Sequence, residues 1–394
     1  MSRIIFHVDV NNAFLSWTAV DLLKKGYPED IRLIPSIIGG DEEARHGIVL
    51  AKSPVAKKYG VVSAEAIFLA KKKCPNLQVF PPNYDLYMEM SYKFYNYLKD
   101  FTPLVEQVSV DECFMDLTNT SYLYDDIMVL AYRIKNEIKE KFGFTVNVGI
   151  ANNKLCAKMA SDFEKPDKVH TLFDYEVENK MWPLPVADLL FVGKSSVKIL
   201  HEIGIKTIGD LAHFDEKKLS KYFKNRSGDL IRSAMGIDES VVDISSYQNK
   251  CISISRTLEK DTNDINYLKK ILLDMANKVG LRARKNNLFA GVIAITFKTS
   301  TFKSFSHQVK LVNSINNTMD IYKEILKLYD QIDKDFLVRS IGIRLDNLEE
   351  KKSEQVSLFE DKKEDDSLQK LMDNINSKYQ STMILPAIFY DNKK

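Results

Sequence analysis

The run Ile4-Ile5-Phe6-His7-Val8-Asp9-Val10 puts a carboxylate near the end of a segment that is otherwise mostly apolar. A short apolar run of this kind reads as a buried strand. A buried carboxylate is costly unless a cation or hydrogen bonds compensate it. Further along, Val105–Leu117 reads as a pair of strands and carries a second set of acids, Asp111 and Glu112, among β-branched and aromatic residues. Acids on separate strands offer the hard oxygen ligands that Mg²⁺ takes, with waters and substrate phosphates in its remaining positions. Two such ions roughly 4 Å apart can clamp the attacking and leaving oxygens of an in-line phosphoryl displacement. The same acids could instead cap turns or pair with lysines, and the pattern alone leaves both open. Asp116, on the same stretch, reads as structural.

A chain of 394 residues, 45% hydrophobic and 28% charged, is long enough for several folded units and too apolar for wholesale disorder. Its net charge of +2 excludes a uniformly basic, DNA-coating protein, but the charge is unevenly placed. Residues 244–346 hold 17 Lys and Arg against 10 Asp and Glu, which marks a basic module. Cys74, Cys113, Cys156 and Cys251 lie far apart without zinc-type spacing, as reduced thiols of a cytosolic protein would. Asp9 interrupts the first apolar run too early for a signal peptide. No stretch approaches the roughly 18 apolar residues that span a bilayer. A cytoplasmic, multi-domain protein that does not enter a membrane is expected.

The first half alternates helices and strands. Helices are expected over Ala13–Lys25, 84–101, Asp125–Phe142 and Asn152–Glu164, the last stopped by Lys165-Pro166. Strands are expected over Ile31–Ile38 and Thr145–Ile150, giving an α+β catalytic-type module. Lys57 and Lys165 are lysines that could hold a triphosphate as point charges near carboxylate-bound metal, or simply be solvated. Between 186 and 240, short helices separated by glycines suggest hairpins whose N-termini can meet phosphates, or plain helix packing. Residues 251–346 then read as strand, helix, two strands, helix and strand. That β-α-β-β-α-β order is of the ferredoxin-like kind. Arg256, Lys298, Lys303, Arg339 and Arg344 lie on or beside its strands, a basic cradle whose phosphate contacts would be insensitive to sequence. Residues 349–366 hold eight acids and four bases and read as a linker. Within it, Gln355-Val356-Ser357-Leu358-Phe359 reads as an anchor peptide for a partner's pocket. A short helix is expected over 367–379. P-loop, dinucleotide-binding, HExxH and GxSxG motifs do not occur.

Four segments, Asp9-Val10-Asn11-Asn12-Ala13-Phe14, Val108-Ser109-Val110-Asp111-Glu112, the stretch from Gly149 to Lys158, and Lys165-Pro166, occur in an order and spacing that resemble a Y-family translesion DNA polymerase, in particular the bacterial DNA polymerase IV and V (DinB/UmuC) group. The likeness covers about residues 1–348. It implies a multi-domain α+β right hand: a palm of residues 1–12 and 77–167, fingers of 13–76, a helix-hairpin-helix thumb of 168–240, and a little finger of 244–346. A flexible tail, 347–394, would follow. The resemblance implies Asp9, Asp111 and Glu112 as catalytic, metal-binding carboxylates for two Mg²⁺ ions, with the Val10 carbonyl as a further ligand. Asn12, Ala13 and Phe14 would line the nucleotide site, Phe14 as the steric gate that rejects a 2′-hydroxyl. Lys57 and Lys165 would meet the triphosphate. Gly193, Lys194 and Ser195, with the five basic residues of the little finger, would meet DNA. Gln355, Leu358 and Phe359 would dock on a sliding clamp. The implied activity is error-prone, template-directed extension of a primer with dNTPs, without proofreading, by a monomer. A catalytically inactive DNA- and clamp-binding accessory is the alternative, and a palm-type nucleotidyl cyclase a more distant one. Some positions depart from the family's pattern: Pro54 and Lys57 stand where Tyr and Arg are common, Phe191 where Gly is usual, and Leu50 where smaller residues lie over the nascent base pair.

Overall fold

The computed structural model describes residues 2–40, 47–244, 250–332, 335–350, 366–379 and 384. The chain divides into two compact units, whose described residues run up to 244 in the first and from 250 in the second. The first unit begins with β1 (Ile5–Val10), α1 (Ala13–Lys24), β2 (Ser36–Gly39), β3 (Val49–Lys52), α2 (Pro54–Lys58), α3 (Ile67–Lys73) and β4 (Gln78–Phe80). It continues through α4 (Tyr84–Lys99), β5 (Val105–Gln107), β6 (Glu112–Asp116), α5 (Ile127–Phe142), β7 (Val146–Ala151), α6 (Lys154–Asp162) and β8 (Val169–Leu172). Short helices follow: α7 (Val177–Lys180), α8 (Lys194–Glu202), α9 (Ile208–Ala212), α10 (Glu216–Phe223) and α11 (Ser227–Ala234).

β1 is central in a sheet ordered β5-β6-β1-β7-β8, and all of its residues are buried. Side chains alternate across a strand, so β1 serves two layers. Phe6, Val8 and Val10 join a core with Trp17, Phe94, Leu130 and Ile134 of α1, α4 and α5. Ile5 packs on the opposite side, with Cys156, Ala157 and Met159 of α6. The approach of α6 to the sheet depends on Gly149 of β7. A Cβ there would stand 2.0 Å from the Ala157 carbonyl oxygen and 2.5 Å from the Ser161 nitrogen. β8 pairs in parallel with β7, so this sheet takes in residues 169–172, which the family pattern assigns to the helical thumb.

The small sheet β3-β2-β4 begins later than the expected strand over Ile31–Ile38. Asp30 accepts the Arg32 backbone N–H at 2.9 Å and its guanidinium, closing a turn that competes with extension. Pro35 then removes a ladder donor just before β2. The chain after α11 is tied back along the first unit. Asn153 donates to the Gly236 carbonyl at 2.8 Å, Arg3 to Ser240 at 2.8 Å, and the Asp243 N–H reaches Glu106 at 2.8 Å.

The second unit contains β9 (Cys251–Thr262), α12 (Ile265–Lys285), β10 (Leu288–Thr299), β11 (Ser304–Ile315), α13 (Thr318–Asp330), β12 (Val338–Glu350) and α14 (Asp366–Lys378). This is the expected β-α-β-β-α-β connectivity, closed into an antiparallel sheet ordered β11-β10-β12-β9. Each crossover helix joins two parallel strands with an antiparallel strand between them. Ile293, Ile295, Phe297, Ile341 and Ile343 pack under α12 and α13. The opposite face carries rows such as Ser253–Arg344–Ala294–Gln308 and Ser255–Gly342–Thr296–Ser306, small or polar throughout. β12 runs four residues past 346, so the sheet is longer than expected. The expected terminal helix forms as α14 and is joined to α12 by a bidentate Arg284–Asp373 pair at 2.5 and 3.1 Å. Gln355, Leu358 and Phe359 lie outside the described residues. Among the described residues no helix is long and apolar enough to cross a membrane.

Candidate active site

The antiparallel register of β1 and β6 sets Asp9 directly opposite Glu112. The Val10 N–H donates to the Asp111 carbonyl at 2.9 Å, holding the turn before β6 against the end of β1. All three acids named from the sequence therefore meet at one sheet end. His7 shares the Asp9 face of β1 by the two-residue period.

α6 and the loop after it supply the cations. The N-cap of α6, Asn153, accepts the Cys156 N–H at 2.8 Å. Lys158 then brings Nζ to 2.6 Å from Glu112 Oε2 and 3.5 Å from Asp9 Oδ2. Lys165, in the loop after α6, lies 2.5 Å from Asp9 Oδ2 and 2.7 Å from Asp162 Oδ1. His7 is fully buried, with Nδ1 2.8 Å from Ser161 Oγ and Nε2 3.2 Å from Glu112 Oε2. The Nε2 contact is short but does not have the geometry of a regular hydrogen bond.

These contacts separate the acids electrostatically. Glu112 is pulled down to about 2, first by His7 and then, against burial, by Lys158. Asp111 moves the other way. Burial raises it, and the charges of Asp9 and Glu112 add to that, while the Ser109 hydroxyl at 2.7 Å opposes. Burial lowers the pKa of His7, against the opposing pull of Glu112 and Asp9. Burial also works against the charge on Lys158 and Lys165, but the surrounding carboxylates together outweigh it, Asp9 with Glu112 and Asp162 at Lys158 and Asp9 with Asp162 at Lys165, and hold both above the usual lysine value.

Among the described residues, no three acid, His or Cys side chains form a ready metal cage. The donor set nevertheless fits a hard divalent cation: it is all carboxylate oxygen, and lysine ammonium groups already stand between or beside the acids.

The impB/mucB/samB family model matches residues 8–162, and the model of that family's C-terminal domain matches residues 249–358. DNA polymerase IV of Clostridium acetobutylicum is 45% identical over 398 residues, covering 100% of both chains. DNA polymerase IV 1 of Bacillus subtilis is 33% identical, covering 97% of this chain and 92% of its own. The chain belongs to the Y family of DNA polymerases, in the DNA polymerase IV group.

A chimera of the Y-family polymerases Dbh and Dpo4 superposes with a TM-score of 0.78 at 24% identity, covering 88% of this chain and 99% of its own. A Dbh ternary complex gives 0.61 at 26% identity, covering 87% and 98%. Like its family, this chain is a translesion DNA polymerase with a palm, fingers, thumb and little finger, and its chemistry depends on divalent metal.

The remaining family positions are scattered more widely. Phe14 is half-buried and stacks on Tyr87, with ring centroids 4.5 Å apart and planes 14° apart. Tyr87 is itself buried and bonded through its hydroxyl to Thr18 at 3.0 Å. Asn12 caps α1 in the left-handed region at φ 49, and Ala13 is buried behind it. Leu50 packs with Phe14 in a small cluster around Leu15 and Ile38. Pro54 opens α2 at a position where a missing N–H costs little, and Ser53 caps that helix. Lys57 is exposed on α2 and stays outside the carboxylate network; its charge, after burial, helps lower the pKa of Lys52.

In the thumb, Gly193 caps α8 with open space around it, and Lys194 and Ser195 are exposed beside it. Phe191 adopts φ 68, the conformation a glycine takes freely, at a cost of roughly 1–2 kcal/mol. In the little finger, Lys298 and Arg344 share the open sheet face. Arg339 is the extra residue of a bulge, and its guanidinium lies 4.6 Å from the centroid of the exposed Phe302 ring, with Lys298 at 5.0 Å. Lys303 is exposed next to Phe302. Arg256 differs from the expectation: it pairs across from the buried Ile341 and reaches Asp274 of α12 at 4.0 Å, away from the open face.

Reading of the sequence missed His7, Lys158, Ser161 and Tyr87 as parts of the site. Only His7 carried a usable signal, its two-residue spacing from Asp9.

The opposite shifts of the two acids have opposite consequences for stability. A raised pKa makes ionisation of Asp111 unfavourable to folding, a cost absent below the ordinary carboxylate range and fully present above the folded value. A lowered pKa makes Glu112 stabilising above its ordinary 4.5, an effect lost as pH falls toward about 2. In metal-free buffer, Asp111→Asn is expected to raise the melting temperature near pH 7 and Glu112→Gln to lower it. Both differences should shrink near pH 3. Melting curves at the two pH values check this, and an Asp111→Asn protein less stable than its parent near neutrality contradicts the first expectation.

Proposed function

We propose that this polymerase extends a primer 3′-hydroxyl on a template with dNTPs, in an error-prone, lesion-tolerant manner, using Asp9, Asp111 and Glu112 to hold two Mg²⁺ ions. The observation that carries the reading is the meeting of these acids at one sheet end with two lysines against them. The Val10 carbonyl is a further ligand in this proposal. Bound there, the ions would activate the attacking hydroxyl and neutralise charge developing on the phosphates.

The protein's own groups do the rest. Lys165 gives the triphosphate a point-charge partner, while Asp9 and Asp162 hold it at the site beforehand. Lys158 balances Glu112, so the acid stays ionised. Asn12, Ala13 and Phe14 line the nucleotide site, and Tyr87 stiffens the Phe14 ring that excludes a 2′-hydroxyl. Lys57, with Lys52 nearby, supplies positive charge in the fingers without the fork of an arginine. We assign the palm to 1–12 and 77–167 with β8 added, the fingers to 13–76, the thumb to the helices up to 240, and the little finger to 244–350. Gly193, Lys194, Ser195, Lys298, Lys303, Arg339 and Arg344 meet the phosphates of DNA, and Arg256 supports them from the helix side. Gln355, Leu358 and Phe359 dock on a sliding clamp. The enzyme acts as a monomer in the cytoplasm. An inactive accessory role has no observation in its favour, since every proposed catalytic acid is present.

Asp111→Ala or Glu112→Ala should abolish primer extension in Mg²⁺ while leaving primer–template binding nearly intact, because grip on the duplex comes from remote basic residues. Extension assays beside fluorescence anisotropy check this, and equal loss of both indicates a structural role.

Phe14→Ala should raise ribonucleotide incorporation about tenfold or more while dNTP use falls modestly, since a tight site resists added atoms by roughly 1–3 kcal/mol. An unchanged rNTP/dNTP ratio in a folded, active variant removes Phe14 from the gate.

Combined Leu358→Ala and Phe359→Ala should leave distributive extension unchanged and remove stimulation by a loaded clamp. Full stimulation of the double variant contradicts the clamp assignment.

A further inference from the structure

Lys165 sits between α6 and β8 in a loop that lacks regular secondary structure. A pair of buried amides fixes that loop. Asn147, on β7 opposite Asp9, is fully buried and uses its whole hydrogen-bonding capacity. Its Nδ2 donates to the Ser161 carbonyl at 2.9 Å and the Glu164 carbonyl at 2.6 Å. Its Oδ1 accepts from Asn11 Nδ2 at 3.1 Å and the Lys168 N–H at 3.3 Å.

Asn11 extends the tie. Its Oδ1 accepts the Asp167 N–H and the Thr145 hydroxyl, both at 2.9 Å. Backbone N–H groups can face only the oxygen end of an amide, so Lys168 and Asp167 fix the orientation of both side chains. The bonds land on residues 164, 167 and 168, on both sides of Lys165. Losing a fully bonded, buried amide strands its partners without replacements.

We infer that Asn147, acting with Asn11, is a positioning residue for Lys165. The amide pair holds the loop so that the lysine ammonium stays at the carboxylate end of β1, where the nucleotide's phosphates arrive. Asn147 touches no substrate and works entirely through the loop. This inference rests on the proposed role of Lys165 in binding the triphosphate.

The test is single-nucleotide kinetics on Asn147→Leu, Lys165→Gln and the double variant, with melting curves and primer–template anisotropy on each. Asn147→Leu is expected to raise the KM for dNTP about tenfold, with kcat changed by no more than about twofold and DNA binding unchanged. Lys165→Gln should also raise that KM. The double variant should match Lys165→Gln alone, because nothing remains for the amides to position. If Asn147→Leu fails to fold, Asn147→Ser, which shortens the side chain, is measured to the same criteria. An unchanged KM in Lys165→Gln overturns the reading of the lysine itself. A raised KM in Lys165→Gln with an unchanged KM in the Asn147 variant overturns the positioning role. So do additive penalties in the double variant, or a joint fall of kcat, DNA binding and stability in the Asn147 variant.

Discussion

Like charges directly opposite each other on antiparallel strands repel, and this fold sets Asp9 against Glu112 at one end of two inner strands of its main sheet. The arrangement is tolerable because Lys158 lies against both acids. Lys158 arrives there only because α6 lies almost on the backbone of β7, at Gly149. The same helix supplies Ser161 to His7 and Asp162 to Lys165. One close helix–strand contact thus organises most of the charge around the site. Asp111, bonded by a hydroxyl instead of a lysine, is left as the acid that burial disfavours in its charged form.

Elements with a clear period were legible in the sequence. β1, α4, α5, β7 and the six core elements of the second unit form within a few residues of where their patterns put them. The acids could be singled out because a carboxylate in an apolar strand contradicts its surroundings. Residues that serve the site from below could not. Asn147 looks like any polar residue in a strand until the register shows what it faces, and His7 offers only its two-residue spacing from Asp9. Ile31–Ile38 misled because its apolar residues outweigh a turn that Asp30 closes through its side chain. Arg256 misled because the strand's pleat, read against the register with Ile341, decides which face a basic residue takes, and one strand's sequence does not show which face is covered.

The departures from the family pattern differ in physical kind. Pro54 suits its helix start well and leaves the local fold undisturbed. Phe191 does the reverse, forcing a bulky residue into backbone space that favours glycine while its side chain stays exposed. The open face of the little finger shows a third case. Its rows of Ser, Gly, Ala and Thr carry little of the hydrophobic core, although Gly342, where a Cβ would stand 2.5 Å from Thr296 Oγ1, admits no side chain without a shift.

The strap formed by residues 236–243 bears on how this chain can be cut and recombined. It looks like a connector, lying beyond the last thumb helix and before the second unit. Yet Asn153, Arg3 and Glu106 all spend hydrogen bonds on it, and Val242 is buried in the core that α6 shares with the thumb. A truncation at Ala234 would open that core and remove one hydrogen-bond partner from each of three side chains. A catalytic fragment that keeps these contacts therefore ends past Asp243, and a module exchanged at the end of α11 would carry away part of the fragment's own stability.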